Sequence, residues 1–191
     1  MLKQLPHLLL KKRSKKHPFP YLLMIRKLVA GLGNPGKIYL NTRHNIGFRV
    51  LDRIQEELNI SSLKSKFNGS YFISEFQNFQ LFFLKPLTFM NKSGESVMEF
   101  LRYFEIPVEE MIVIHDELDL EFGKLKIKSG GGSAGHKGLD SIICLTQQDK
   151  FTRIRMGIGR PVRKEMMQDY VLSNFTGIDE KELTEFIYTG A

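Results

Sequence analysis

Met24-Ile-Arg-Lys-Leu-Val-Ala-Gly-Leu-Gly-Asn-Pro-Gly36 joins two signals in thirteen residues: a short apolar run, then a turn marked by three glycines and a proline. The run reads as a first core strand over 26–31, closed by a turn at the sheet edge. Gly31-Leu-Gly-Asn-Pro-Gly36 also fits the G-x-G-x-x-G outline of a dinucleotide site, and Glu56 lies 20 residues beyond Gly36. That chemistry needs a helix to begin inside the glycines, so that its N-terminus faces the pyrophosphate. Here Lys37 to His44 intervene before any helical pattern, and Glu56 falls within that helix instead of at a second strand tip. The stretch therefore predicts a sheet with a functional turn at its rim, but in the wrong context for a nicotinamide cofactor.

Beyond it, short apolar runs alternate with longer amphipathic ones, which implies an α/β fold. Strands are expected at 26–31, 70–76, 80–85, 111–115, 124–128 and 152–158, and helices at 45–58, 93–105, 137–147 and 179–188. Leu81-Phe-Phe-Leu84 and Met111-Ile-Val-Ile114 are rich in β-formers and predict buried strands. Ile46, Val50, Leu51, Ile54 and Leu58 recur at helical spacing and make one apolar face. Only Gln77-Asn-Phe79 separates 70–76 from 80–85, which predicts a hairpin and hence a mixed sheet. Asp179 with Glu182 forms an acidic variant of a capping box. The expectation is one domain over 24–191: a mixed, twisted sheet flanked by helices, with a polar cleft at the strand ends.

A chain of 191 residues that is 42% hydrophobic can bury one core. No apolar stretch approaches the roughly 20 residues that span a bilayer. A single cysteine, Cys144, rules out an intramolecular disulfide and any paired-cysteine metal site. A reducing, cytoplasmic setting is the default expectation. Residues 1–23 carry six Lys or Arg and no acid, and are too short and proline-broken in Leu5-Pro-His-Leu-Leu-Leu10 for a signal-peptide core. They are expected to form a disordered basic extension, with Met24 a second possible start.

The formal net charge of +7 comes mostly from that extension, so the average argues for no partner. Within the body, charge is segregated. Residues 93–121 hold nine acids against Arg102 alone, whereas 122–164 hold ten basic residues against Asp140 and Asp149. Such a basic stretch suits a phosphate-binding face, and a solvated surface is an equal alternative on charge alone.

Polar residues that can carry chemistry fall on turns after strand-like runs: Asn34, His44 in Thr42-Arg-His-Asn45, Asn91 in Thr88-Phe-Met-Asn91, Asp116, and His136 in Gly130-Gly-Gly-Ser-Ala-Gly-His-Lys-Gly138. Together they can bind an amide-bearing substrate and run acid–base chemistry. Gly131-Gly-Ser-Ala-Gly135 satisfies G-x-S-x-G, but His136 is the only histidine after Ser133, which excludes the serine-hydrolase order of acid then histidine. His115, Asp116, Glu117 and Asp119 crowd one turn without any metal-ligand spacing, and an acidic loop closing a strand explains them better. Taken singly, each has a plain reading as well: His44 as a helix-start residue, Asn34 and Asn91 as turn or cap residues, Tyr39 and Phe89 as core.

The ordered set is more specific. Leu28-Val-Ala-Gly-Leu-Gly-Asn-Pro-Gly36, Tyr39, Thr42-Arg-His-Asn45, Lys85-Pro-Leu-Thr-Phe-Met-Asn91 with Ser93-Gly94, His115-Asp-Glu-Leu-Asp119, the 130–138 loop and Arg153-Ile-Arg-Met-Gly-Ile-Gly-Arg-Pro161 resemble bacterial peptidyl-tRNA hydrolases over about residues 24–178. The resemblance implies a monomeric, metal-free enzyme that cuts the ester between a peptide and its tRNA, with no cofactor and no membrane partner. It implies His44 as general base toward water and Asp116 as the acid that orients the imidazole. Asn34 and Asn91 resemble the amides that hold the peptide, since a carboxamide both donates and accepts. Tyr39 and Phe89 match positions that contact the substrate and the tRNA end, and His136 and Lys137 fall in the substrate-binding loop. Lys126, Lys128, Arg153 and Arg155 match the grip on tRNA phosphates. Lys137 stands where many members have asparagine, and members usually carry a longer last helix than one ending at Ala191. The alternative is a non-catalytic RNA-binding relative of the same fold.

Overall fold

In the computed structural model, residues 24–176 and 179–191 are described. The expected extension over 1–23 and the capping side chain of Asp179 lie outside the described residues. The apolar run at 25–31 becomes β1 (Ile25–Gly31), buried from Leu28 onward. A run with so little polar alternation needs cover on both faces, and β1 accordingly occupies the middle of a seven-stranded sheet. The order is β2-β3-β4-β1-β5-β7-β6, where β2 is Lys64–Lys66, β3 Gly69–Phe76, β4 Phe79–Pro86, β5 Met111–Glu117, β6 Leu125–Ser129 and β7 Thr152–Gly157.

β1 runs parallel to both β4 and β5, and β5 parallel to β7. The expected hairpin pairs β3 with β4 antiparallel from Gly69 opposite Pro86 to Phe76 opposite Phe79. β2 and β6 are antiparallel edges. The carboxyl ends of β1, β4, β5 and β7 therefore share one rim. The chain leaves β1 toward β4 and returns across it to β5, and such a switch point is where open α/β sheets build their sites.

Helices cover both faces. α2 (Ser93–Phe104) and α3 (Lys137–Thr146) bury Val97, Phe100, Leu101, Leu139 and Ile142 against Leu28, Ala30, Phe82 and Val113. On the opposite face α1 (Ile46–Glu57) and α5 (Asp179–Gly190) bury Ile46, Val50, Leu51, Leu183, Phe186 and Ile187 against Val29, Phe83 and Ile114. α4 (Met167–Val171) is a short piece between β7 and α5. Among the described residues no helix is long and apolar enough to cross a membrane.

One glycine sets the placement of α1. A Cβ on Gly47 would collide with the backbone of Leu32 and of Ile114, so the first turn of α1 lies directly on the ends of β1 and β5. That contact brings the 3-10 turn Arg43–Asn45, which leads into α1, onto the rim.

The sequence pattern does not foretell β2 or α4. Lys64-Ser-Lys66 contains no β-former and is made a strand only by pairing with Gly69–Tyr71. Met167-Gln-Asp-Tyr-Val171 is too short to show a helical period.

Candidate active site

Three loops at the rim are stitched together by two asparagines. The backbone N–H of Asn34, just beyond β1, donates to Oδ1 of Asn45 at 2.8 Å, and Nδ2 of Asn45 donates back to the Asn34 carbonyl at 2.9 Å. The side chain of Asn34 then reaches the loop after β4, where its Oδ1 accepts from Met90 N–H at 2.8 Å. Both asparagines are buried, so these amide bonds satisfy loop backbone that water cannot reach. Asn34 is left with Nδ2, which has no partner among the described residues and keeps contact with solvent. It can donate to a ligand, while Oδ1 is already engaged by Met90. Sequence reading treats Asn45 only as a neighbour of His44, because its role arises from the approach of two loops 11 residues apart.

His44 sits in the buried turn that Asn45 anchors. Its Nδ1 lies 2.8 and 2.9 Å from Oδ1 and Oδ2 of Asp116, near the end of β5. Next to a buried carboxylate, Nδ1 carries the proton and Nε2 presents its lone pair, with no protein partner among the described residues and with solvent contact retained. Burial works to lower the His44 pKa from 6.5, but the Asp116 charge and hydrogen bond outweigh it and leave the pKa raised. Burial likewise works to raise the Asp116 carboxyl, and the imidazoles of His44 and His136 hold it well below the usual carboxylate range.

His136 approaches the same carboxylate from the other side, with Nε2 2.9 Å from Asp116 Oδ1. It is the N-cap of α3, and its Nδ1 accepts from the backbone N–H of Gly138 at 3.2 Å and Leu139 at 3.3 Å. The proton of this ring is thus on Nε2, donating to Asp116. Both nitrogens are engaged: the ring holds Asp116 and starts a helix. The ligand atoms of His44, Asp116 and His136 lie within 4.8 Å of one another, close enough for a metal ion. A metal on His136 Nε2 would require the lone pair that this tautomer lacks, so the geometry is that of a hydrogen-bonded triad. Behind it His115 is buried, donates from Nδ1 to the Asp116 carbonyl at 2.7 Å, and is pushed down to about 3 by burial first and by His136 next.

The remaining expected residues divide into three groups. Asn91 and Phe89 are exposed on the turn after β4, next to Met90, with Phe89 56% exposed, and Tyr39 is half-buried in the turn after Gly36. Lys137 is exposed at the start of α3. Lys126 and Lys128 are exposed on edge strand β6, and Arg155, paired across from Lys126, donates from Nε to Glu117 at 2.9 Å. Arg153 departs from expectation. It is 2% exposed, and its guanidinium donates to the carbonyls of Gly131 and Gly132. Alternation along β7 puts it on the same face as Arg155, but the glycine loop covers it, and it braces that loop. A cavity of about 350 Å³ lies at the far end of α2 between Leu101, Ile106 and Leu145 and holds none of these groups. The site is an open rim.

Known proteins resemble this chain in sequence and fold. The family model of peptidyl-tRNA hydrolase matches residues 28–191. The peptidyl-tRNA hydrolase of Bacillus licheniformis is 46% identical over 162 residues, covering 85% of this chain and 86% of its own. That of Geotalea uraniireducens is 50% identical over 153 residues, 80% of each chain. The crystal structure of peptidyl-tRNA hydrolase from Acinetobacter baumannii superposes with a TM-score of 0.80 at 34% identity, covering 89% of this chain and 86% of that one. On the family match, these identities and the shared fold, the chain belongs to the peptidyl-tRNA hydrolase family.

Proposed function

We propose that this protein hydrolyses the ester bond between a peptide, or any N-blocked aminoacyl group, and the 3′ end of tRNA, with His44 as general base. The observation that carries the reading is the His44–Asp116 pair: Nδ1 is fixed on a buried carboxylate and Nε2 is left free and wetted. In that tautomer Nε2 takes a proton from water as the oxygen attacks the ester carbonyl, and Asp116 stabilises the imidazolium that forms. The tRNA 3′ oxygen leaves with a proton returned from the same ring. No covalent enzyme intermediate is needed, since the site presents no paired nucleophile.

Asn34 supplies an oriented donor, Nδ2, to a substrate carbonyl, because the bond from Met90 N–H to Oδ1 fixes which way the amide faces. Asn91, exposed beside it, has both donor and acceptor to offer the substrate's backbone amide. A free ammonium in place of that amide would lack the carbonyl partner and carry charge, which is the reason for preferring N-blocked groups. Tyr39, Phe89 and Lys137 border the rim where the acceptor end arrives. Lys126, Lys128 and the outer nitrogens of Arg155 contact phosphate without reading sequence. The reading takes the protein as a cytoplasmic monomer that needs no metal, and the spent lone pair of His136 supports the last of these.

The test is release of acetylated amino acid from N-acetyl-aminoacyl-tRNA in EDTA, for wild type and His44→Ala. A general base contributes about 10²–10⁴-fold, and a loss of that size with tRNA binding retained is the expected result. Tight tRNA binding without turnover by the wild type would make the chain the non-catalytic relative instead.

A further inference from the structure

The turn that carries His44 is held from two sides, and only the Asn45 side belongs to the site described above. On the outer side the attachment passes through Arg43. Its backbone N–H donates to the Ser173 carbonyl at 3.0 Å, and Thr42 forms an antiparallel bridge with Asn174. The Arg43 side chain is buried, with Nη1 donating to Ser173 O at 3.2 Å, Ser173 Oγ at 2.6 Å and Asn174 O at 2.6 Å. Its guanidinium carbon stands 4.3 Å from the ring centre of Tyr170 and 5.1 Å from that of Phe175. Tyr170 donates its hydroxyl to Ile158 O at 2.6 Å, just past β7, and Phe175 enters the core shared by α1 and α5.

A buried cation is costly, and this one has no ion-pair partner among the described residues. Backbone carbonyls, the Ser173 hydroxyl and two aromatic faces surround it, all from residues 170–175, and of its buried nitrogens Nε alone is left without a partner among the described residues. An apolar side chain would pack between two rings at lower cost, but it could not clamp a strand of carbonyls in register. The clamp sits one residue from His44, in the same 3-10 turn.

We propose that Arg43 is a positioning residue for catalysis, which makes Tyr170–Phe175 the outer wall of the catalytic turn and fixes where Nε2 of His44 stands. The inference rests on His44 being the general base. Misplacing a catalytic group by about 1 Å costs up to about 10²-fold, so Arg43→Met is expected to lower kcat about 10- to 100-fold with KM little changed. The acid limb of its pH–rate profile moves as well, because the His44–Asp116 distance sets the proton affinity of the ring. Arg43→Lys recovers only part of the rate, since an ammonium does not stack against the Tyr170 and Phe175 rings as the planar guanidinium does. Added guanidinium ion raises the rate of Arg43→Ala.

His44→Ala is assayed in parallel. If it retains the wild-type rate, the general-base reading falls and this inference with it. If it is inactive while folded Arg43→Met keeps both kcat and the pH profile, losing only thermal stability, the inference alone is overturned. Should Arg43→Met not fold, Ser173→Ala and Tyr170→Phe each remove one strut of the same clamp. A lower kcat at unchanged KM in either supports the assignment, and wild-type kcat in both overturns it.

Discussion

Asp116 gives one oxygen to two histidines, and the two bonds do different work. From His136 it receives a proton donor locked by the backbone of α3, which keeps the carboxylate from turning. To His44 it offers negative charge, which holds the ring's pKa above 6.5 against burial. The free base exists only above that raised value, so kcat/KM should climb as pH rises through an apparent pKa above 6.5 and then level off. In Asp116→Asn the raising influence is gone and burial remains, so the limb should move to lower pH. The plateau should also drop, by up to about 10⁴-fold, because an amide can donate to Nδ1 and fix the wrong tautomer. Full pH–rate profiles of both proteins check this, and an unmoved limb in the variant would disconnect Asp116 from the base. At this scale the sequence was partly legible. His44 and Asp116 follow from their place in ordered motifs, whereas the duties of Asn45, His115 and Arg43 depend on which loops meet, and no local spacing encodes that.

Gly47 shows how an element carries the site. α1 touches β1 and β5 backbone to backbone, and this contact sets the height of the Arg43–Asn45 turn above the rim. Gly47→Ala should therefore do more than destabilise. Overpacking of this kind costs about 1–3 kcal/mol, which for a chain of this size lowers Tm by several degrees. Displacement of the helix start should reduce kcat further than the fraction unfolded accounts for. Calorimetry and turnover on the same preparation separate the two effects, and normal turnover at a lowered Tm would show that the turn is held by its neighbours alone. The strands and helices with strong periods, β1, β3, β4, β5, α1 and α2, were legible within a residue or two, since burial on one or two faces writes itself into the pattern. β2 was not, being a strand by pairing and not by composition. The helices did not reveal which of them crosses close enough to require glycine.

Across the whole molecule, the charge that matters is a strip. On charge alone the basic residues between 122 and 164 suit a phosphate-binding face or, equally, a solvated surface, and the fold sorts them by exposure. Lys126 and Lys128 stand exposed on the edge strand β6, whose antiparallel register sets Lys126 opposite Arg155 and Lys128 opposite Arg153. Arg155 is tied at Nε to Glu117, and Arg153 is turned inward under the glycine loop. These placements predict different behaviour for two neighbouring cations. A side chain that neutralises a phosphate releases a counterion, so losing it reduces the salt dependence of binding as well as the affinity. Lys128→Ala should lower the slope of log K against log salt by about 1, with Tm unchanged. Arg153→Met should leave that slope at the wild-type value while lowering Tm, because it removes the brace on Gly131 and Gly132. Titration of tRNA at several salt concentrations, beside thermal melts of both variants, measures each quantity directly. A reduced slope for Arg153→Met at normal Tm would mean that the loop opens on binding and hands the guanidinium to the RNA. A full slope for Lys128→Ala would move the phosphate track off β6, toward Lys137 at the head of α3.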